Sequence, residues 1–231
     1  MHVLNPYRLA STGPSITPDE LSNLAMWYDG TDSSSMSLDG SNRVLSITDK
    51  SANAEVAVKN VSLSGSVFDG TKITFTPSGG GLGASTNNNI TSDIHGFIVF
   101  SNWDASSAFF VNRSASSNRL SLGRKDIGLI GFTKYIGSWN TAFDDVATVT
   151  DEIWILEFKV ISNTPTGYLN DNALVYNSAT GVPTATGNYF NLGGRSQYAA
   201  ETWDFYECFI SDAELTTEER DGILNYLANK Y

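Results

Sequence analysis

The feature that most constrains this chain is a long succession of short apolar segments, each ended by a turn, with no amphipathic helix between them. "RVLSITD", "KITFT", "GFIVFSN", "AFFVNR", "RLSLGR", "DIGLIGFTKY", "EIWILEFKVI", "GYLN", "ALVYN", "YFNLGG" and "TWDFYECFI" all carry β-branched or aromatic residues. Parallel strands would need crossover helices, and none is written between these segments. The pattern therefore leaves an antiparallel sandwich or barrel. Within it, "GYLNDNALVY" reads as a hairpin, because Asn and Asp tolerate the left-handed backbone that a tight turn requires.

The two ends differ from this middle. "TPDEL" at 17–21 is a helix start, with Thr17 as cap, Pro18 at the first helical position and Glu20 closing a capping box. "LAMWYDG" follows with strand alternation, Leu24, Met26 and Tyr28 on one face and Ala25 and Trp27 on the other. "DGTDSSSMSLDGSN" then reads as a loop with a turn at Asp39-Gly40. At the C-terminus the period changes from two to 3.6. "LTTEERDGILNYLANKY" has a capping box at Thr216 and Glu219 and a stripe of Ile223, Leu224, Leu227 and Tyr231, one amphipathic helix laid on the sandwich. Gly222 inside it lowers helix propensity. Residues 1–16, with Pro6 and Pro14 and no sustained periodicity, read as an extended N-terminal arm ahead of a single domain spanning 17–231.

At 231 residues with 41% hydrophobic content, one sandwich with a sizeable core accounts for the chain. The formal net charge of −11 argues against nucleic acid, whose phosphates need clustered Lys and Arg; it suits solubility in a protein present in many copies. The single cysteine, Cys208, excludes an intrachain disulfide, and the alternating run around it places the thiol in the core. No stretch reaches the ~20 apolar residues of a membrane span, and the N-terminus has no apolar signal region. The expectation is synthesis in a cytoplasm without an export signal.

Four stretches, in order, resemble the concanavalin A-like, laminin G-like jelly-roll domains, particularly those of tailed-bacteriophage virion proteins. They are "TPDELSNLAMWYDGTDSSSMSLDGSNRV", "SITDKSANAE", "IWILEFKVISNTPTGYLNDNALVY" and "NLGGRSQYAAETWDFYECFISDAELTTEERDGILNYLANKY", which together cover most of residues 17–231. The resemblance implies an all-β antiparallel jelly-roll sandwich and a non-enzymatic virion structural protein, an exposed head decoration or fibre component. The arm, through Asn5, Pro6, Tyr7 and Arg8, would attach it to other virion subunits in a homo-oligomeric or multicopy assembly. The alternative is a carbohydrate-binding, receptor-recognition module of a tail fibre or secreted protein. The chain departs from the pattern where the second stretch has Ala52 and Ala54 in place of glycines and Ile47 in place of a common Trp, and where the hairpin has Asp171 and Asn172 instead of Gly. In the wider superfamily such turns lie near ligand or calcium sites, so Asp29, Asp32, Asp49 and Asn53 are the positions a carried-over site would use.

Candidate chemistry is sparse. Glu152 and Glu157 flank "IWIL", but five positions apart they fall on opposite faces of a strand, whereas a glycosidase pair must lie roughly 5–10 Å apart across one bond. Trp154 and Leu156 share the Glu152 face, Ile153 and Ile155 that of Glu157, and both acids read as strand ends. The only histidines are His2 and His95, no G-x-S-x-G elbow occurs, and His95 reads as a turn residue before a strand. "SGGGLGAS" at 78–85 lacks the Lys-Ser/Thr of a phosphate loop and reads as a loop. Carbohydrate binding remains, through rings at apparent strand ends, Trp103 with Asp104 and Tyr135 with Trp139, against the alternative that these aromatics cover the edge of the core. No cofactor is expected, since calcium on Asp29, Asp32 and Asp39 would need six or more oxygens.

Overall fold

The computed structural model describes residues 13–54, 56–59, 66–76, 82–85, 93–102, 109–114, 119–124, 129–135, 139–141, 145–146, 153–162, 164–174, 189–193 and 202–231. After a 3-10 turn at Pro18–Glu20 come β1 (Leu24–Asp29), a second 3-10 turn at Ser33–Ser35, β2 (Met36–Leu38), β3 (Val44–Thr48) and β4 (Val56–Lys59). Next are β5 (Val67–Phe68), β6 (Ile73–Phe75), β7 (Leu82–Ser85) and β8 (Ile94–Ser101). The middle of the chain gives β9 (Phe109–Ser114), β10 (Arg119–Arg124), β11 (Leu129–Tyr135), β12 (Trp139–Thr141) and β13 (Asp145–Val146). Last come β14 (Trp154–Ile161), β15 (Thr164–Leu169), β16 (Asn172–Ala173), β17 (Tyr189–Leu192), β18 (Trp203–Ser211) and the helix α1 (Thr217–Lys230).

Among the described residues the strands form two sheets, and all their named pairings are antiparallel. The first has eight strands in the order β16-β15-β14-β8-β18-β6-β5, with β1 also on β18. The second has ten, β12-β11-β10-β9-β17-β7-β4-β3-β2, with β13 also on β11. The apolar core between them joins Val44, Ile47, Ala57, Leu82 and Leu192 of the second sheet to Tyr28, Phe75, Ile98, Phe100, Leu156 and Phe205 of the first. A separate cluster covers the opposite face of the first sheet. There Trp27, Phe97, Val99 and Phe209 meet Leu215, Ile223 and Leu227. Burying Ile223 and Leu227 contributes about 1.5–3 kcal/mol each, which holds α1 in place.

This three-layer stack explains β8. It lies between β14 and β18 in its sheet, with the sandwich core on one face and α1 on the other, and all eight of its residues are buried. Gly96 at its centre is required by packing: a Cβ there would come within 2.5 Å of the Phe158 ring and 2.9 Å of the Phe209 carbonyl oxygen.

Several expectations change. The region read as a loop after β1 contains β2, and "SGGGLGAS" contributes β7 from Leu82 onward, while residues 78–81 lie outside the described residues. The faces of β1 differ from simple alternation because Leu24 pairs with Ser211 but Met26 with Ile210. Ala25 is therefore inserted as a bulge, so Ala25 and Met26 both join the inter-sheet core while Leu24 packs with Trp27 beneath α1. The end of the expected arm is also bound. Ile16 donates its backbone N–H to the Gly222 carbonyl at 3.0 Å, and the Asn225 amide donates to the Gly13 and Pro14 carbonyls at 3.1 and 3.4 Å.

Candidate functional site

The sequence-derived candidates separate into those the structure positions and those beyond it. Tyr135 ends β11, Trp139 begins β12, and the two are Cα partners across that hairpin. Trp103 and Asp104 lie outside the described residues, as do Asn5, Pro6, Tyr7 and Arg8.

The acidic loop after β1 is well placed, and its charge is met by the chain itself. Asp29 Oδ2 accepts from Lys50 Nζ at 3.3 Å and from Lys230 Nζ at 3.0 Å, and Asp32 Oδ2 accepts from Lys50 Nζ at 3.0 Å. Burial works against ionisation of Asp29, but the Thr31 hydroxyl and the Lys230 ammonium outweigh it and hold the carboxyl below its usual range. The Ser34 hydroxyl and Lys50 lower Asp32 to about 2. Asp39 instead caps its own turn, accepting from the N–H groups of Ser41 and Arg43. Two lysine ammonium groups thus sit against the carboxylates that calcium would need. No group of three or more His, Cys, Asp or Glu suited to a metal occurs among the described residues.

Asp49 and Asn53 also have structural partners. Asp49 Oδ1 accepts from the backbone N–H of Trp27 at 2.7 Å and of Ser51 at 2.8 Å, and Asn53 donates to the Ala25 carbonyl at 2.9 Å. They stitch the 49–54 turn to β1.

The glutamates resolve differently from expectation. Glu152 lies outside the described residues. Glu157 is no strand end: it sits mid-β14, 2% exposed, on the face shared with Ile153 and Ile155 and beneath α1. Arg220 Nε donates to its two oxygens at 2.8 and 3.0 Å, and Arg220 Nη2 donates at 2.6 Å to Glu157 and at 2.6 Å to Asp171. His95, expected in a turn, is the second residue of β8 and 1% exposed, with Nε2 2.9 Å from Glu157 Oε1. Burial raises the cost of charging Glu157, yet the hydrogen bond from His95 and the Arg220 guanidinium more than offset it, so its carboxyl stays ionised below the usual range. A carboxylate held this way under a helix cannot reach a sugar. It fastens α1 to the β14–β16 hairpin.

A further buried carboxylate, Glu207, carries no signal in the sequence. Glu207, 0% exposed on β18, accepts from Trp27 Nε1 at 2.6 Å, Tyr226 OH at 2.9 Å, Tyr231 OH at 2.9 Å and Lys230 Nζ at 2.8 Å. It reaches the helix because Tyr206 is an inserted residue: Phe205 pairs with Phe100 but Glu207 with Val99. The bulge turns Tyr206 and Glu207 both toward α1. Burial, reinforced by the Glu207 charge, pushes the hydroxyls of Tyr226 and Tyr231 far above the ordinary tyrosine range. Cys208, next in line, faces the inter-sheet core, and burial raises its thiol well beyond reactivity.

No protein-family model matches the chain, and no curated protein matches it. Solved structures do. Domain 4 of AbnA, a GH43 extracellular arabinanase from Geobacillus stearothermophilus, in complex with arabinotriose, superposes with a TM-score of 0.62 at 13% identity, covering 89% of this chain and 98% of that one. The binding domain of botulinum neurotoxin serotype D/C gives 0.64 at 10% identity, over 91% of this chain and 53% of that one. Trypanosoma rangeli sialidase in complex with the inhibitor DANA gives 0.62 at 11% identity, over 94% of this chain and 36% of that one. This chain therefore spans nearly all of the arabinanase domain but only part of the toxin and sialidase chains. At such identities the likeness establishes the fold, an all-β jelly-roll-like sandwich, as the sequence led one to expect.

Proposed function

We propose that this chain is a non-catalytic carbohydrate-binding sandwich, displayed in many copies on the virion of a tailed bacteriophage as a head decoration or fibre component. The observation that carries the glycan reading is the near-complete overlap with the arabinanase domain, whose structure contains arabinotriose. Two things support it further. Glu157, one of the two acids weighed for a hydrolase, is committed to Arg220 and His95. The Tyr135 and Trp139 pair ends a hairpin on the second sheet, away from the face that α1 covers on the first. The Tyr135 and Trp139 rings are the proposed sugar platform, since pyranose and furanose faces stack on aromatic side chains flanked by polar groups; Trp103 with Asp104 is a separate candidate from the sequence.

The virion setting rests on the resemblance of the four stretches to phage jelly-roll proteins. In it, Asn5, Pro6, Tyr7 and Arg8 attach to neighbouring subunits and the loops face outward. A glycan array probed with the wild-type protein and with a Tyr135→Ala/Trp139→Ala double variant, each with and without calcium, tests the site. Binding by the wild type that the double variant loses, unchanged by calcium, is the expected result; no binding to any glycan sinks the lectin reading. Mass spectrometry of purified particles tests the setting separately, and absence of the protein from them overturns the virion assignment alone.

A further inference from the structure

We infer that His95 is an acid-released latch: a proton on its ring Nδ1 converts the acceptor that holds the Leu215 N–H into a second donor and frees the start of α1 from the sheet. The hydrogen-bond pattern fixes the resting state. Leu215 donates its backbone N–H to His95 Nδ1 at 3.2 Å, so Nδ1 carries a lone pair and the ring proton belongs to Nε2. Nε2–H then points at Glu157 Oε1, 2.9 Å away. Both ring nitrogens are used, and the neutral tautomer alone satisfies them together.

The position is what makes this a latch. Leu215 immediately precedes Thr216, the N-cap of α1, and is 8% exposed, so its N–H has no water to turn to while seated. The connection from β18 to α1 has few other backbone ties: Ala213 is held to the Ser211 hydroxyl, and Asp212 to the Asn23 carbonyl. Ile16 rests on Gly222 within the first turns of the same helix, so the seat of residues 13–16 moves with it.

Charged groups face the ring from β14, the connection and α1, while β18 sets the neutral Ser211 beside it. Glu157 and Lys159 come from β14, Lys159 being the Cα partner of His95, Glu214 from the connection, and Arg220 from α1. Lys159 is paired with Glu214, and Glu157 already takes three N–H contacts from Arg220, so the surrounding acids are compensated before any imidazolium forms. The sign follows. The closed latch requires the neutral ring, so its hold is complete at higher pH and is lost as falling pH protonates Nδ1, by up to about tenfold per pH unit.

Amide hydrogen exchange of residues 213–223, corrected for intrinsic rates, reads this directly between pH 7.5 and 5. Expected is a loss of protection of about tenfold per unit below the step, confined to that segment while β8 and β18 stay protected. His95→Gln is the control, because its amide can accept from Leu215 and donate to Glu157 without titrating; its protection should be flat over the same range. A flat wild type, or a variant that titrates like the wild type, overturns the latch. Nitrogen-15 NMR of the wild-type imidazole at pH 7.5 stands independently of the variant's folding: an Nδ1–H tautomer or an imidazolium there rules the latch out.

Discussion

Ala54 occupies a backbone conformation that alanine ordinarily avoids, with φ at +48°, in the turn that follows β3. The turn survives because its neighbours are held elsewhere: Asp49 and Asn53 fasten it to β1, and the Ala54 N–H bonds the Ser51 carbonyl at 3.1 Å. The left-handed region costs a non-glycine residue roughly 1 kcal/mol. Ala54→Gly is therefore expected to stabilise the protein by up to about 1 kcal/mol, less the backbone entropy glycine adds to the unfolded chain. Urea denaturation measures this, and a lowered midpoint would contradict it. Glu207 is the opposite case. Glu207→Leu removes the acceptor of Trp27 Nε1 and of the Tyr226 and Tyr231 hydroxyls beneath the helix, while Lys230 keeps Asp29. Lys230 is 23% exposed at its side chain and can swing to water, whereas the Trp27 indole is only 7% exposed. The expected loss is about 3 kcal/mol, toward the lower end for breaking a buried charged pair, read as a lower midpoint at unchanged denaturant slope.

At the scale of elements, what could be read from sequence is what depends on neighbours along the chain. Both capping boxes form, Thr17 with Glu20 and Thr216 with Glu219, and Asn170 and Asp171 take φ of +47° and +64° in the two-residue turn between β15 and β16. What could not be read depends on partners far away. His95 and Arg220 lie 62 and 63 positions from Glu157, and the bulges at Ala25 and Tyr206 are single-residue insertions with no compositional mark. Gly222 shows how local and distant rules conflict. In an isolated helix Gly→Ala stabilises by about 1 kcal/mol. Here the added Cβ would stand 2.5 Å from Ile16 Cγ1, so the segment 13–16 must lift or the helix must shift. Gly222→Ala is expected to destabilise by about 1–3 kcal/mol, as for overpacking elsewhere, with amide protection lost at Ile16. A stabilised variant with Ile16 still protected would show that the seat is loose.

For the whole molecule, the ionised groups that tie α1 and the 29–32 loop to the sandwich define a stability plateau. Asp29, Asp32 and Glu157 all have carboxyls lowered in the folded state, so the stability they contribute is fully present above their ordinary values, near about 4. It is lost as pH falls through the folded values, for Asp32 toward about 2. Lys50 has the complementary behaviour: burial opposes its charge, but Asp32 and Asp29 raise it above its usual value. Its contribution is thus complete below about 10.5 and lost as pH rises beyond that. Because Lys50 and Lys230 already neutralise Asp29 and Asp32, millimolar calcium or a chelator should leave the thermal midpoint unchanged across the plateau, and a calcium-dependent rise would mean the lysines give way to the ion. Acid then acts in two separable stages. Opening of the 213–223 segment follows protonation of the His95 ring and leaves both sheets intact, while cooperative unfolding waits until the carboxylates protonate below about pH 4. Circular dichroism and the fluorescence of the buried tryptophans, followed from pH 7 to 2 alongside amide exchange, separate the two. A single cooperative transition in which the segment and both sheets are lost together would mean that α1 is integral to the sandwich and cannot open alone.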